Sequence, residues 1–283
     1  MYDVLVTGSV VYTGSEVIRD GYVYIKAGRI RDVGKQPVPE DYTFATLVLG
    51  GPHRIVVPGL AVVADAAAYP IRYSRPSVRE RIRYYKNTPR RLRVYSALLG
   101  VYELHMRGAT TVFIEEVEPD VVVDVASMAG GRYGVAFPAC VEERKAPLPT
   151  VRISGEDCVG EASLGAGEVP YLAGLGVYDL ARVGDRIWEA NFRLREISGT
   201  STGRIEVGEV AEVAVFDSRM PPIALLDLYP QRAPLAPLMG ARVESLIVGD
   251  EVLVDGGQHL NIGFKHVSEA RELAEKYIVG RGQ

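Results

Sequence analysis

The β-type segments of this chain are split between its two ends, and that division limits the available folds more than any other feature. Near the start, residues 3–12 (DVLVTGSVVY) are rich in Val with a glycine break. Residues 22–33 (YVYIKAGRIRDV) alternate in two short runs around Ala27-Gly28, a hairpin signal. Residues 46–49 and 55–57 read as two further short strands, punctuated by Gly50, Gly51, Pro52 and Pro58. Near the end, residues 211–217 (AEVAVFD), 242–248 (RVESLIV) and 251–255 (EVLVD) alternate in the same way, the last two joined by Gly249-Asp250. Neither block is large enough for a core of its own. Together they predict one composite β-sandwich built from both ends, closed by a helix over 267–278.

The middle of the chain has a different grammar. Residues 94–107 carry Val94, Ala97, Leu98, Val101 and Leu104 at helical spacing and stop at Gly108. A buried-type strand follows at 110–114 (TTVFI), then a short helix over 119–130 and a strand over 134–138. Helix followed by strand, twice, is the pattern of βα units and a parallel sheet. Past Pro138 the pattern weakens: 151–154 and 169–172 read as strands, and a helix over 186–197 leads back to the terminal β block. The expected division is therefore a sandwich from 1–54 and 200–283, with a barrel-like α/β domain in 55–199. That middle segment is 145 residues long, where a complete eight-stranded barrel takes about 250. The expected fold class is α/β, with an incomplete barrel.

Composition narrows the classes further. No run approaches the ~18 apolar residues of a membrane span, and Met1-Tyr2-Asp3 enters a strand pattern directly without a signal peptide. Two cysteines, Cys140 and Cys158, are too few for a disulfide framework or a thiolate zinc site, which favours a reducing, cytoplasmic setting.

Several segments, in order, resemble the amidohydrolase superfamily, in particular its cytosine-deaminase and chlorohydrolase-like branch. DGYVYIKAGRIRDVG (20–34) is similar to that family's early hairpin, and IVVPGL (55–60) to the entry into its first barrel strand. LLGVYELHMRGATTV (98–112) resembles the first barrel helix and second strand, GRIEVGEVAEVAVFD (203–217) the return to the sandwich, and VGDEVLVDGG (248–257) its last hairpin. The resemblance implies a metal-dependent hydrolase of carbon–nitrogen bonds using zinc or iron. In that family a His-x-His pair follows Pro-Gly-Leu. Here the chain runs Pro58-Gly59-Leu60-Ala61-Val62-Val63-Ala64-Asp65-Ala66, so the two ligand positions are Ala64 and Ala66. A methyl group has no lone pair to offer a metal. The only histidines are His53, His105, His259 and His266, none of them between 106 and 258. No metal ligand is assigned, and the expectation is a retained scaffold without the family's cofactor.

In a barrel, functional side chains sit at the C-terminal ends of the strands. That rule nominates Asp65 after the first strand, Glu115 and Glu116 after the second, and Cys140, Glu142 and Glu143 after the third. Ser154, Glu156 and Asp157 follow the fourth. Asp65, Glu115 and Glu142 are the catalytic candidates, as an acid/base pair or as oxygen ligands of a hard cation. Against this stands their use as solvated or Arg-paired carboxylates. Asp65, within an otherwise apolar strand, needs an arginine partner if buried. Cys140 has no histidine near it in sequence and reads as a small apolar residue rather than a nucleophile.

Residues 72–93 (RYSRPSVRERIRYYKNTPRRLR) carry net charge +8 while the whole chain carries −4. The residues nominated here for a ligand or partner are Arg72, Arg75, Arg79, Arg83, Tyr84, Arg90 and Arg91, with Tyr69, Tyr73, Tyr85 and Tyr95 interleaved. Arg with Tyr suits a protein interface or pairing within the chain, then a small anionic ligand; the acidic whole and the absence of a nucleic-acid-binding motif argue against nucleic acid.

Three readings follow. The preferred one is an amidohydrolase-like protein without metal-dependent activity that acts in binding or assembly. Uncovered strand edges make a homodimer its expected partner, an expectation that a light-scattering mass of one chain would remove. The second is a hydrolase of non-peptide carbon–nitrogen bonds that uses carboxylates with a hard divalent metal. The third is polyanion or nucleic-acid binding through 72–93.

Overall fold

The computed structural model describes residues 3–154, 157–158, 164, 170–172 and 186–281. In chain order the elements are β1 (Asp3–Tyr12), β2 (Val17–Lys26), β3 (Arg29–Lys35), β4 (Leu47–Pro58) and β5 (Leu60–Ala64). Then come α1 (Val78–Asn87), α2 (Arg90–His105), β6 (Ala109–Glu115), α3 (Pro119–Ala129), β7 (Arg132–Pro138), β8 (Thr150–Ile153) and β9 (Tyr171–Leu172). The chain closes with α4 (Ile187–Ser198), β10 (Glu212–Asp217), β11 (Val243–Val248), β12 (Glu251–Asp255), β13 (Gln258–His259) and α5 (Phe264–Arg281). None of the described helices is long and apolar enough to cross a membrane.

Two compact units emerge. The first comprises Met1–Leu60, His105–Thr110 and Ser201–Leu260. Its strands form one eight-stranded sheet in the order β13-β12-β11-β10-β4-β1-β2-β3, so both ends of the chain share it. All pairs whose register is given are antiparallel except β1 with β4. Alternation puts one side chain in two onto the same apolar core: Val4 and Val6 from β1, Val23 and Ile25 from β2, Ile30 from β3, Val56 from β4, Val213 and Val215 from β10, and Ile247 from β11. The β3 edge returns to the segment before β10, where Arg29 bridges Val210 and the Ile30 amide donates to Glu209.

The strands expected over 46–49 and 55–57 are one strand, β4, which begins at Leu47. The glycines that suggested a break lie inside it, and Gly50 (φ 84°) is needed there because a Cβ would come within 2.0 Å of the Thr7 carbonyl oxygen. The glycine of the Pro58-Gly59-Leu60 turn has a similar cause: a Cβ on Gly59 would lie 2.2 Å from the Thr110 side chain.

The second unit comprises Ala61–Leu104, Thr111–Thr200 and Asn261–Gln283. The closing helix α5, expected with the sandwich, therefore falls with this unit. Its sheet has the order β8-β7-β6-β5-β9, with β6/β7, β7/β8 and β5/β9 parallel. The expected strand over 151–154 is β8, one residue earlier; of that over 169–172, position 169 lies outside the described residues and Tyr171–Leu172 form β9. Each residue of β6 is buried, so both faces of the sheet are covered. Ala61, Val63, Phe113, Ala136, Val151 and Ile153 point to one face and share a core with Leu194 of α4. Val112, Ile114, Val135 and Phe137 alternate onto the other face and are buried as well.

Candidate functional site

Strand alternation decides which carboxylates enter the site. On β5 the row Ala61, Val63 continues to Asp65, and on β6 the row Thr111, Phe113 continues to Glu115. Both rows end at the C-terminal edge of the parallel sheet, where Asp65 is 1% and Glu115 0% exposed. The third row passes through Gly134, a position that must be glycine: a Cβ there would lie 2.2 Å from the Phe113 ring.

Arg81 of α1 enters between the two carboxylates. Its Nε donates to Glu115 Oε1 at 2.7 Å and its Nη2 to Glu115 Oε2 at 2.8 Å, a bidentate pair. The same Nε stands 3.9 Å from Asp65 Oδ2, and Nη1 donates to the Pro76 carbonyl at 2.8 Å. Tyr85, one turn along α1, donates its hydroxyl to Glu115 Oε1 at 3.1 Å. Burial, and then the Glu115 and Asp65 charges, push the Tyr85 phenol well above its ordinary value, so it stays protonated and donates. The helix that delivers both residues starts at a capping box, with Ser77 accepting from the Glu80 amide and the Glu80 carboxylate accepting from the Ser77 amide. Val78, Arg81, Ile82 and Tyr85 then form its buried face.

A second buried pair lies beside the first. Arg93 of α2 donates to Glu116 Oε1 at 2.7 Å, and the Val117 and Glu118 amides donate to the same oxygen. Arg93 also pairs with Glu118. Glu116 Oε2 is buried without a hydrogen-bond partner among the described residues. Burial, only partly offset by Arg93, raises the Glu116 carboxyl to about 7. Three buried carboxylates thus share two buried guanidiniums.

The other nominated residues lie apart from this cluster. Glu142 is exposed and does not join Asp65 and Glu115, and Glu143 accepts from Thr150. Ser154 pairs with the Leu164 backbone, Asp157 caps α1, and Glu156 lies outside the described residues. Cys140 and Cys158 form a disulfide, which corrects the expectation of free thiols and removes the premise on which a reducing compartment was inferred.

The basic segment is largely neutralised within its own unit. Arg72 pairs with Glu103 and lies 3.6 Å over the Tyr69 ring. Arg79 donates to the Asp157 carbonyl, Arg90 pairs with Asp120 and Asp124, and Arg91 with Glu269. Tyr84 is buried, while Arg75 and Arg83 are exposed. Arg81 and Arg93, the two arginines that turn inward, were not among the residues singled out from the sequence. Their signal was present: Ser77-x-x-Glu80 marks a helix start, and counting from it places Arg81 with Val78, Ile82 and Tyr85.

Zinc or iron does not fit the residues present. Ala64 and Ala66 offer no donor atom, and the Glu115 oxygens already accept from Arg81 and Tyr85. Among the described residues no three His, Cys, Asp or Glu side chains are grouped to hold an ion. The histidines are committed elsewhere: His105 Nδ1 lies 2.8 Å from His259 Nε2, His53 pairs with Asp227, and His266 accepts from the Gly263 amide.

No protein-family model matches the sequence, and no curated protein matches it. Solved structures do. A triazine hydrolase from Arthrobacter aurescens superposes with a TM-score of 0.74 at 12% identity, covering 97% of this chain and 100% of the other. The fold is that of the amidohydrolases. An adenosine deaminase from Xanthomonas campestris with bound zinc gives a TM-score of 0.65 at 12% identity, covering 98% and 99% of the two chains. An amidohydrolase from a Sargasso Sea environmental sample gives 0.59 at 12%, covering 99% and 100%. The resemblance read from the hairpin, Pro-Gly-Leu and return segments thus holds at the level of fold.

Proposed function

We propose that this protein keeps an amidohydrolase scaffold with a shortened barrel, has given up metal-dependent hydrolysis of carbon–nitrogen bonds, and acts through binding or assembly. One observation carries the reading: the Arg81 guanidinium stands between Asp65 and Glu115, at the strand ends where a barrel hydrolase presents its chemistry. A buried cation is already supplied by the chain itself. A guanidinium neutralises and orients the carboxylates, but it has no open coordination position and cannot lower the pKa of a bound water as a metal does. The filled face of the sheet supports the same reading, since Leu194 of α4 packs where the side chains of β5 to β8 converge.

A ligand that binds only the folded state raises its stability by mass action, by about 2.7 kcal/mol at a hundred times the Kd. Thermal unfolding is therefore expected to be unchanged by Zn²⁺, Mn²⁺ or Mg²⁺. A rise of several degrees with any one of them, abolished by Glu115→Gln, would instead favour a carboxylate-held metal and a working hydrolase.

A further inference from the structure

We propose that the Cys140–Cys158 disulfide is a thiol-reducible latch on α1, and through α1 on the guanidinium that neutralises Asp65 and Glu115. The inference rests on the preceding reading of Arg81. Three contacts connect the disulfide to that residue. Asp157, next to Cys158 in the chain, receives the first amides of α1: Val78 N donates to Oδ1 at 3.2 Å and Arg79 N to Oδ2 at 3.0 Å. Arg79 Nε donates to the Asp157 carbonyl at 2.6 Å. Cys158 in turn is bonded to Cys140, two residues past the end of β7 at Pro138, and the Cys140 amide points to Cys158 Sγ at 2.9 Å.

The position of Asp157 makes the tether matter. Beyond β8, the Ser154 amide donates to the Leu164 carbonyl and the Leu164 amide to the Arg152 carbonyl. Asp157 and Cys158 lie between those two positions, beyond the end of β8 at Ile153. The disulfide ties Cys158 to the residue two past the end of β7, and Asp157 passes the constraint to the N-terminus of α1, where a carboxylate is favoured by the exposed amides and the helix dipole. One turn further along α1 is Arg81. Releasing the helix start loosens the residue that fills the space between Asp65 and Glu115, and leaves two buried carboxylates able to accept another cation.

The chemistry is ordinary thiol–disulfide exchange. The two sulfurs differ in access, since Cys140 is exposed and Cys158 is 1% exposed. A thiolate of a small dithiol therefore attacks Cys140 Sγ, the S–S bond breaks, and Cys158 leaves as a thiolate that takes a proton. The second thiol of the reductant then attacks the mixed disulfide and releases Cys140. Two electrons and two protons pass to the protein, and the dithiol becomes a cyclic disulfide.

Amide hydrogen exchange on the full chain tests this, with the protein oxidised and then reduced by dithiothreitol. The expected result is at least a tenfold faster exchange across residues 78–87 after reduction, with Val112, Phe113 and Ile114 unchanged. Equal exchange of α1 in both states would overturn the proposal. So would a uniform acceleration that includes β6, because the disulfide would then be a general staple. Asp157→Ala with the disulfide intact supplies the second arm: α1 should already exchange fast, and reduction should add nothing. A further tenfold gain on reducing that variant would show that Asp157 does not transmit the constraint. None of these readouts uses a metal or a substrate, so failure of the latch leaves the Arg81 reading standing, and metal uptake tests that separately.

Discussion

At the scale of single residues, burial turns Arg81 from a surface charge into a structural requirement. Removing one member of a buried, hydrogen-bonded ion pair leaves the other charge stranded, which costs about 3–5 kcal/mol. Arg81→Ala should therefore lower stability by about that amount in urea unfolding, and Arg81→Ala/Glu115→Gln should recover part of it. A loss below about 1 kcal/mol would mean that Arg81 does not hold the two carboxylates. Glu116 makes a prediction in pH. Its carboxyl is raised to about 7 by burial, against an ordinary value of 4.5. The folded state thus holds a proton that the unfolded chain releases, so the stability this group contributes is full below pH 4.5 and is lost as pH rises through 7. Glu116→Gln keeps an acceptor for Arg93 and does not titrate. Between pH 5 and 8 the wild type should lose on the order of 3 kcal/mol relative to this variant; parallel stability curves would show that Glu116 does not titrate in that range. His105 acts in the opposite sense. Burial and then the neighbouring His259 lower it to about 3, so its contribution is present above 6.5 and falls away on acidification.

At the scale of elements, α4 covers one face of the parallel sheet. Its buried face of Ile187, Asn191, Leu194 and Arg195 lies over the sheet: Asn191 Oδ1 accepts from the Ala61 amide at 2.6 Å, and Arg195 reaches Thr111. Leu194 shares the core of β5 to β8 and is 0% exposed. Leu194→Ala should cost about 2–5 kcal/mol, while Glu196→Ala on the exposed face should stay within about 0.5 kcal/mol. Equal effects in chemical denaturation would mean that α4 does not cover the sheet. The extent of α4 was legible, because its apolar spacing is helical over 186–197. Its covering role was not, since periodicity shows which face is buried but not what lies opposite. The same limit applies to α1. Charge counting over 72–93 pointed to a partner, but local spacing could not show that Arg81 and Arg93 meet Glu115 and Glu116 more than twenty residues away.

At the scale of the whole molecule, the sheet built from both ends of the chain was legible because each β block is too small to fold alone. The parallel sheet was legible from helix and strand alternating through 94–138. The route past Pro138 was not, because β8 and β9 are short and Gly-containing links carry no period. The absence of donors at Ala64 and Ala66 was readable from the sequence; the Arg81 guanidinium between Asp65 and Glu115 was not, for it comes from another element. That this guanidinium serves in place of a metal is the central proposal, and elemental analysis of the protein, purified without chelator and then incubated with Zn²⁺, Mn²⁺, Fe²⁺ or Mg²⁺ and desalted, tests it most directly. The account predicts well under 0.1 metal ion per chain in every case. About one tightly held ion per chain, lost in Glu115→Gln, would contradict it.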